Sequence, residues 1–318
     1  MGRMKEIAEH LKSAQSVLIF AHTNMDGDAL GSSAALCHTL RSMGKTSYIM
    51  VEDKTADNLV FMDKGYCTED LDIVTEPDVC ICLDCHGEDR MPKRYGRFMS
   101  GKTLLCIDHH ATNAPFEGIA VVDSAAAATG ELIYELFEEM KITPDKEAAE
   151  ALYAAITTDT GNFQYSNCTK KTHEIAAALY EAGIDHNKVS VEIYESIAPG
   201  KIKLESAILN EVRFVADGKA AIAYVTQEML DKTGTLMEDT EGVVAKLRSI
   251  RGVEVSALLK EKEDGIVKVS MRAKTYGNVA AICEAYGGGG HIKAAGCTLE
   301  MSMEEALAEI TKAIEANL

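Results

Sequence analysis

Short runs of apolar residues, each bounded by polar or turn-forming positions, recur through the first half of the chain. They fall at Ser16 to Ala21, Ser47 to Val51, Val79 to Leu83, Leu104 to Ile107 and Ile119 to Val122, and they are rich in Val and Ile. Runs of this length and composition predict strands buried on both faces. Helical spacing fills the gaps between several of them: Ala29 to Ser42, closed by Gly44, and Gly130 to Met140. Alternating strands and helices predict a mostly parallel sheet with helices on both faces. Two further helices are expected, one opened by Thr143 and Pro144 and running to about Thr157, the other running from Thr169 to a stop at Gly183.

After Asp185 the pattern changes. A helical stretch leads to Pro199 and Gly200, and strand-like runs resume at Val212 to Val215, Ala220 to Val225, Val253 to Lys260 and Ile266 to Arg272. Helices near Glu241 to Ile250, Val279 to Tyr286 and Met303 to Ala316 complete a smaller α/β domain with a mixed sheet. The expected organisation is a first domain over residues 1–185, a helical linker over 186–203 and a second domain over 204–318. A chain of 318 residues is long enough for two cores.

Composition narrows the function. A formal net charge of −18 argues against a protein that grips long duplex nucleic acid through a basic surface. A small anion remains an acceptable substrate if cations or a few basic residues supply local positive charge. The segment Met1 to Gln15 mixes charges with apolar residues at helical spacing, unlike a signal peptide, and no apolar run approaches the roughly 20 residues of a membrane span. A cytoplasmic protein without membrane contact is expected, its nine cysteines free thiols in a reducing compartment. Cys82, Cys85 and His86 form C-x-x-C-H, the pattern of a c-type haem attachment, but they follow the apolar run Val79 to Leu83 and read as buried strand thiols.

The candidate chemistry sits at the strand ends. The first strand runs into His22, Asp26 and Asp28 in a glycine-containing loop before a helix; the third ends at Asp84; the fourth ends at Asp108-His109-His110. In a parallel sheet the carboxyl ends of neighbouring strands converge where such folds bind ligands, so these side chains are expected to share one crevice. Asp and Gly are also ordinary turn formers, and Asp28 equally suits a helix cap. A fourth element, Asp159-Thr160-Gly161, closes a helix. A carboxylate at a helix C-terminus meets unfavourable partial charge, which a neighbouring cation would relieve.

His22-x-x-x-Asp26-x-Asp28, Asp84, Asp108-His109-His110 and Asp159-Thr160-Gly161 together resemble the DHH phosphoesterase superfamily in order and spacing, over nearly the whole chain. The segment Gly287 to Gly296, with His291 and Lys293, resembles the signature of the DHH-associated C-terminal domain, and the combination is similar to the nanoRNase and pAp phosphatase branch. Met25 stands where members often carry Pro, and Gln164 where many carry Arg. The resemblance implies a hydrolase of short oligonucleotides or 3'-phosphoadenosine 5'-phosphate. It also implies two divalent ions: His22 and Asp26 on one, Asp28, His109 and Asp159 on the other, Asp84 bridging. His110 would face the substrate phosphate, with Asp108 orienting an imidazole behind the ligands.

A donor set of four carboxylates and two imidazoles suits manganese and accepts magnesium or cobalt. In the second domain Arg272 and Lys274 resemble the family's Arg-Ser-Lys segment and are expected to grip the nucleotide, Arg272 through a bidentate match to phosphate. The glycines Gly288, Gly289 and Gly290 before His291 suit either an anion-binding nest or a flexible turn into the strand Ala295 to Leu299. A narrow cleft between a catalytic and a gripping domain would favour substrates a few nucleotides long. The competing readings are a hydrolase of linear or cyclic dinucleotide messengers, a pyrophosphatase or polyphosphatase, and a nucleotide-binding protein without catalysis.

Overall fold

A computed structural model of the protein describes residues 2–110, 116–262 and 265–318, and the chain divides into two compact units, Met1–Ser196 and Ile197–Leu318. The first unit begins with α1 (Arg3–Ser13), β1 (Ser16–Phe20), α2 (Gly27–Ser42), β2 (Thr46–Met50), β3 (Cys67–Thr68) and β4 (Val79–Leu83). It continues through α3 (Tyr95–Phe98), β5 (Thr103–Asp108), β6 (Ile119–Val122), α4 (Thr129–Met140), α5 (Lys146–Asp159), α6 (Lys170–Glu181) and α7 (His186–Ser190).

Six parallel strands lie in the order β3-β2-β1-β4-β5-β6. Side chains alternate across the sheet. Val17, Ile19, Ile81 and Ile107 join the core built with α1, α2, α4 and α5, while Leu18, Phe20, Cys80, Cys82 and Cys106 pack on the opposite face with Met91 and Phe98. Burial of both faces is why these strands read as unbroken apolar runs. The chain winds outward from β1 to β2 and β3, then restarts on the other side at β4, so a crevice opens outside the carboxyl ends of β1 and β4.

The second unit holds α8 (Pro199–Asn210), β7 (Arg213–Val215), β8 (Ala220–Val225), α9 (Gln227–Thr233), α10 (Val243–Ser249) and β9 (Val255–Glu261). After these come β10 (Ile266–Ala273), α11 (Val279–Glu284), β11 (Gly289–His291), β12 (Ala294–Glu300) and α12 (Met303–Asn317). Its sheet has the order β11-β12-β10-β9-β8-β7, with β8 and β9 parallel and the other pairs antiparallel. One face is closed by a core that draws Val267, Val269, Met271, Cys297 and Leu299 against α11 and α12. The core on the other face, built with α8, α9 and α10, takes Ala221, Ala223 and Leu258 from β8 and β9 and no residue of β10, β11 or β12.

The helical stretch expected as a linker over residues 186–203 is divided between the units. Val189 and Ile193 are buried in the first core, whereas Pro199 opens α8, whose Leu204 and Ile208 are buried in the second. Helix α9 had no periodic signal because only Leu230 of its seven residues is buried; Thr226 caps it and Gly234, at φ 64°, ends it. Among the described residues no helix is long and apolar enough to cross a membrane.

Candidate metal centre

Four segments of the first unit deliver side chains to the crevice. His22 follows β1. Its Nδ1 donates to its neighbour's carbonyl, Thr23 O, at 2.8 Å, which turns Nε2 toward Asp26 Oδ2 at 3.7 Å and Asp84 Oδ2 at 3.5 Å. His109, past the end of β5, is set the same way. Its Nδ1 meets Ala126 O at 3.3 Å, and Nε2 faces Asp28 Oδ2 at 3.7 Å, Asp84 Oδ1 at 3.5 Å and Asp159 Oδ2 at 3.4 Å. A backbone carbonyl thus holds the proton on Nδ1 in both rings and leaves Nε2 turned to the carboxylates, free to serve as a ligand atom.

Potential ligand atoms of His22, Asp26 and Asp84 lie within 4.8 Å of one another, as do those of Asp28, His109 and Asp159, and those of Asp84, His109 and His110. Asp84 is common to two of these groups. Its backbone sits at φ 60°, a left-handed conformation that Asp tolerates better than most residues, pinned by its N–H to Ile107 O at 3.0 Å. Strain of this kind persists where surrounding structure enforces it, and it collects at functional sites.

Asp26, not Asp28, caps α2: its Oδ1 accepts from the backbone N–H groups of Asp28 at 3.1 Å and Ala29 at 3.0 Å. Asp28 caps a different helix. Ala128, at the N-cap position of α4, offers no side-chain hydrogen bond, and the buried Asp28 carboxylate accepts instead from Thr129 N at 2.6 Å and Gly130 N at 2.9 Å. Ser32 Oγ adds a third donor at 3.0 Å. Thr129 Oγ1 then donates to Asp84 Oδ1 at 2.8 Å, tying α4 to the carboxylate shared by two groups.

Asp108 lies behind the ligands. Its Oδ1 accepts from both the backbone N–H and Nδ1 of His110 at 2.9 Å, and its Oδ2 accepts from His86 Nδ1 at 2.8 Å. Burial would raise the Asp108 carboxyl, but the hydrogen bonds from His110 and His86 outweigh it and hold the group ionised below its usual range. The His110 imidazole is raised, first by its bond to Asp108. His86 is the histidine of the C-x-x-C-H pattern. Cys82 and Cys85 of that pattern are buried, and their histidine bonds Asp108 instead.

The electrostatics favour added cations. Burial, then the charges of Asp84, Asp159 and Asp26, push the Asp28 carboxyl well above its ordinary value. Burial with the charges of Asp26 and Asp84 pushes Asp159 up to about 6, against the pull of His109 and His110. Burial alone would lower the His22 imidazole, yet hydrogen bonds to Asp26 and Asp84 push it up to about 10, so a proton occupies the place of positive charge between two carboxylates. Four crowded carboxylates and two Nε2 atoms form an oxygen-rich donor set that fits hard or borderline divalent ions.

The remaining candidates belong to the second unit. Arg272 on β10 pairs across the sheet with Ala294 of β12, and Ala294 pairs with His291 of β11, so Arg272 and His291 share one face of the sheet, opposite the face that buries Val269 and Met271. Lys274 Nζ donates to Ile250 O at 3.1 Å. The glycine run closes one helix and opens an edge strand. Gly287 N donates to Glu284 O at 3.0 Å and Gly288 N to Cys283 O at 2.9 Å, ending α11, and Gly289 to His291 form edge strand β11. Gly288 is required by space, since a Cβ there would lie 2.2 Å from Gly296 O.

Residues 16–156 match the DHH family, N-terminal domain, and residues 217–318 match the DHHA1 domain. A bifunctional oligoribonuclease and PAP phosphatase NrnA of Thermus thermophilus is 28% identical over 99% of this chain and 94% of its own length. A protein of the same name from Bacillus subtilis is 28% identical, covering 92% of each chain. A crystal structure of an exopolyphosphatase-related protein from Bacteroides fragilis superposes with a TM-score of 0.92 at 27% identity, covering 99% of this chain and 96% of that one.

Proposed function

This chain belongs to the DHH family, and from that premise we propose that it hydrolyses phosphate esters of short oligonucleotides and of 3'-phosphoadenosine 5'-phosphate. The observation that carries this reading is Asp84, whose two oxygens are approached by His22 on one side and His109 on the other. A carboxylate placed in this way suits the bridge between two ions. His22 and Asp26 would complete one site, and Asp28, His109 and Asp159 the other, with manganese the best match to the donors and magnesium or cobalt as substitutes. Two bound ions would supply a water acidified to act as nucleophile near neutral pH and neutralisation of charge on the phosphate.

The chain's own residues supply the rest. His110, whose Nδ1 is held by Asp108 at 2.9 Å and lies 3.5 Å from Asp84 Oδ1, would contact a phosphate oxygen and pass a proton to the leaving oxygen. Arg272 and His291 bind the nucleotide on their shared sheet face, Arg272 through paired N–H donors to phosphate. The net charge of −18 supports a substrate small enough to be held by these few groups.

The deciding assay supplies purified protein with a dinucleotide, a trinucleotide, 3'-phosphoadenosine 5'-phosphate, a cyclic dinucleotide and pyrophosphate, with and without manganese. Hydrolysis of the first three only with manganese, reduced more than about a hundredfold in Asp84→Asn, is the expected result. Preference for the cyclic dinucleotide or pyrophosphate would replace the substrate assignment. Undiminished hydrolysis by Asp84→Asn would remove the two-ion mechanism.

A further inference from the structure

The first unit contains a cavity of about 240 Å³ toward the opposite ends of the two helices that carry metal-centre ligands. Ala34 of α2 and Ala151 of α5 contribute to its lining. Ala34 lies six residues beyond Asp28, and Ala151 eight residues before Asp159, placing the cavity on the order of 10 Å along each helix from the ligands. The metal centre and the cavity share no lining residue.

Three kinds of group line it. Phe61 and Tyr66 provide aromatic surface. Tyr66 is fixed, its hydroxyl 2.9 Å from His38 Nδ1, with His38 Nε2 2.8 Å from Asp145 and the Arg41 guanidinium 5.0 Å from the Tyr66 ring centroid. Lys64, Lys146 and Lys188 contribute three ammonium groups, from a loop, α5 and α7. Lys146 lies 3.7 Å from Glu150, whereas Lys64 and Lys188 have no ion pair among the described residues. Glu147 and Glu150 supply acceptors, and Glu150 already accepts from Asp185 N at 3.0 Å.

In a protein with a net charge of −18, a lining with three lysines against two glutamates is locally positive, and Lys64 and Lys188, without ion pairs among the described residues, are the groups placed to meet a small anion. A pocket that combines apolar and aromatic lining with a few polar groups is the usual form of a small-molecule site. We propose that this cavity binds a nucleoside monophosphate, independently of the metal centre. The base lies against Phe61 and Tyr66, the phosphate meets Lys64 and Lys188, and Glu147 accepts from an amino group on the base edge. The volume holds most of such a ligand, and the fixed tyrosine lowers the cost of ordering the wall.

The test uses the full chain in excess EDTA, so that binding does not depend on metal, with AMP as the probe. Calorimetry is expected to give one saturable site, with adenosine and ribose 5-phosphate each weaker by about tenfold or more. Lys64→Glu/Lys188→Glu should weaken AMP by at least about tenfold while its melting temperature and manganese-dependent hydrolysis stay unchanged. Photocrosslinking with 8-azido-AMP should label the peptide containing Phe61 and Tyr66. Absence of saturable binding, equal binding by the double variant, or labelling confined to peptides with Asp84, His109 or Arg272 would overturn the assignment. Hydrolysis plays no part in these binding readouts, so failure of the enzymatic reading and failure of this site are distinguished.

Discussion

His86 and His110 grip the same carboxylate from opposite sides: Asp108 Oδ2 accepts from His86 Nδ1 at 2.8 Å and Oδ1 from His110 Nδ1 at 2.9 Å. On the proposed reading, His86 acts on His110 through the shared carboxylate. His86→Ala should lower kcat about ten- to a hundredfold with little change in KM, as loss of groups that orient ligands does at metal sites. His86→Asn, which keeps an N–H near the Nδ1 place, should recover much of the loss. Equal rates for the two variants would remove His86 from this role.

Thr129→Val removes the hydroxyl that donates to Asp84 Oδ1 at 2.8 Å and keeps the backbone N–H that donates to Asp28. Manganese affinity by calorimetry should fall about tenfold, with the fold intact by circular dichroism. An unchanged affinity would show that Asp84 is held without the threonine.

Helices α2 and α5 meet at Gly31, where an added Cβ would lie 2.5 Å from Ala151 O. Gly31→Ala forces the helices apart and should cost about 1–3 kcal/mol, read as a lower melting temperature. Because the pair carries Asp28 and Asp159, metal affinity should drop as well. A variant that loses stability but binds manganese normally would show that the helices can separate without moving their ligands.

Glu254 holds the loop after β10 by accepting from Thr275 N at 2.8 Å, Thr275 Oγ1 at 2.6 Å, and the N–H groups of Tyr276 and Gly277 at 2.7 Å. Burial would raise its carboxyl, but these bonds, led by Gly277 N–H, pull it down to about 2. A carboxylate depressed on folding stabilises the protein fully above its unfolded value near 4.5, and the contribution is lost as pH falls from there to about 2. Chemical denaturation of wild type and Glu254→Gln should differ by a few kcal/mol at pH 7 and converge near pH 2. A constant difference across that range would assign the effect to packing.

Arg272→Ala should raise KM for a dinucleotide about tenfold or more while sparing a small chromogenic phosphodiester that occupies only the metal centre. An equal loss on both substrates would exclude Arg272 from substrate selection.

Much of this organisation can be read from local patterns. Strands β1, β4 and β5 are short apolar runs, and the residues after them are those that gather in the crevice, since both properties follow from a parallel sheet. Relations that depend on distant partners leave no such trace. Asp28 caps α4, about a hundred residues further on, and nothing near Ala128 announces that its helix is capped from elsewhere. His86 is masked by a cysteine pattern with a different chemical association. Edge strand β11 is hidden because glycine carries no alternating side chains, and its conformation is set by close contact with β12.

The strand order has a consequence for synthesis of the chain. Asp26 and Asp28 leave the ribosome early, yet α5, which ends in Asp159, must be made and packed on α2 before the second ligand group exists. A growing polypeptide that has produced only β1 to β5 holds an incomplete set of donors. On the proposed reading, hydrolysis must wait until α5 has been made and packed on α2, so a nascent copy that ends before Asp159 is inactive.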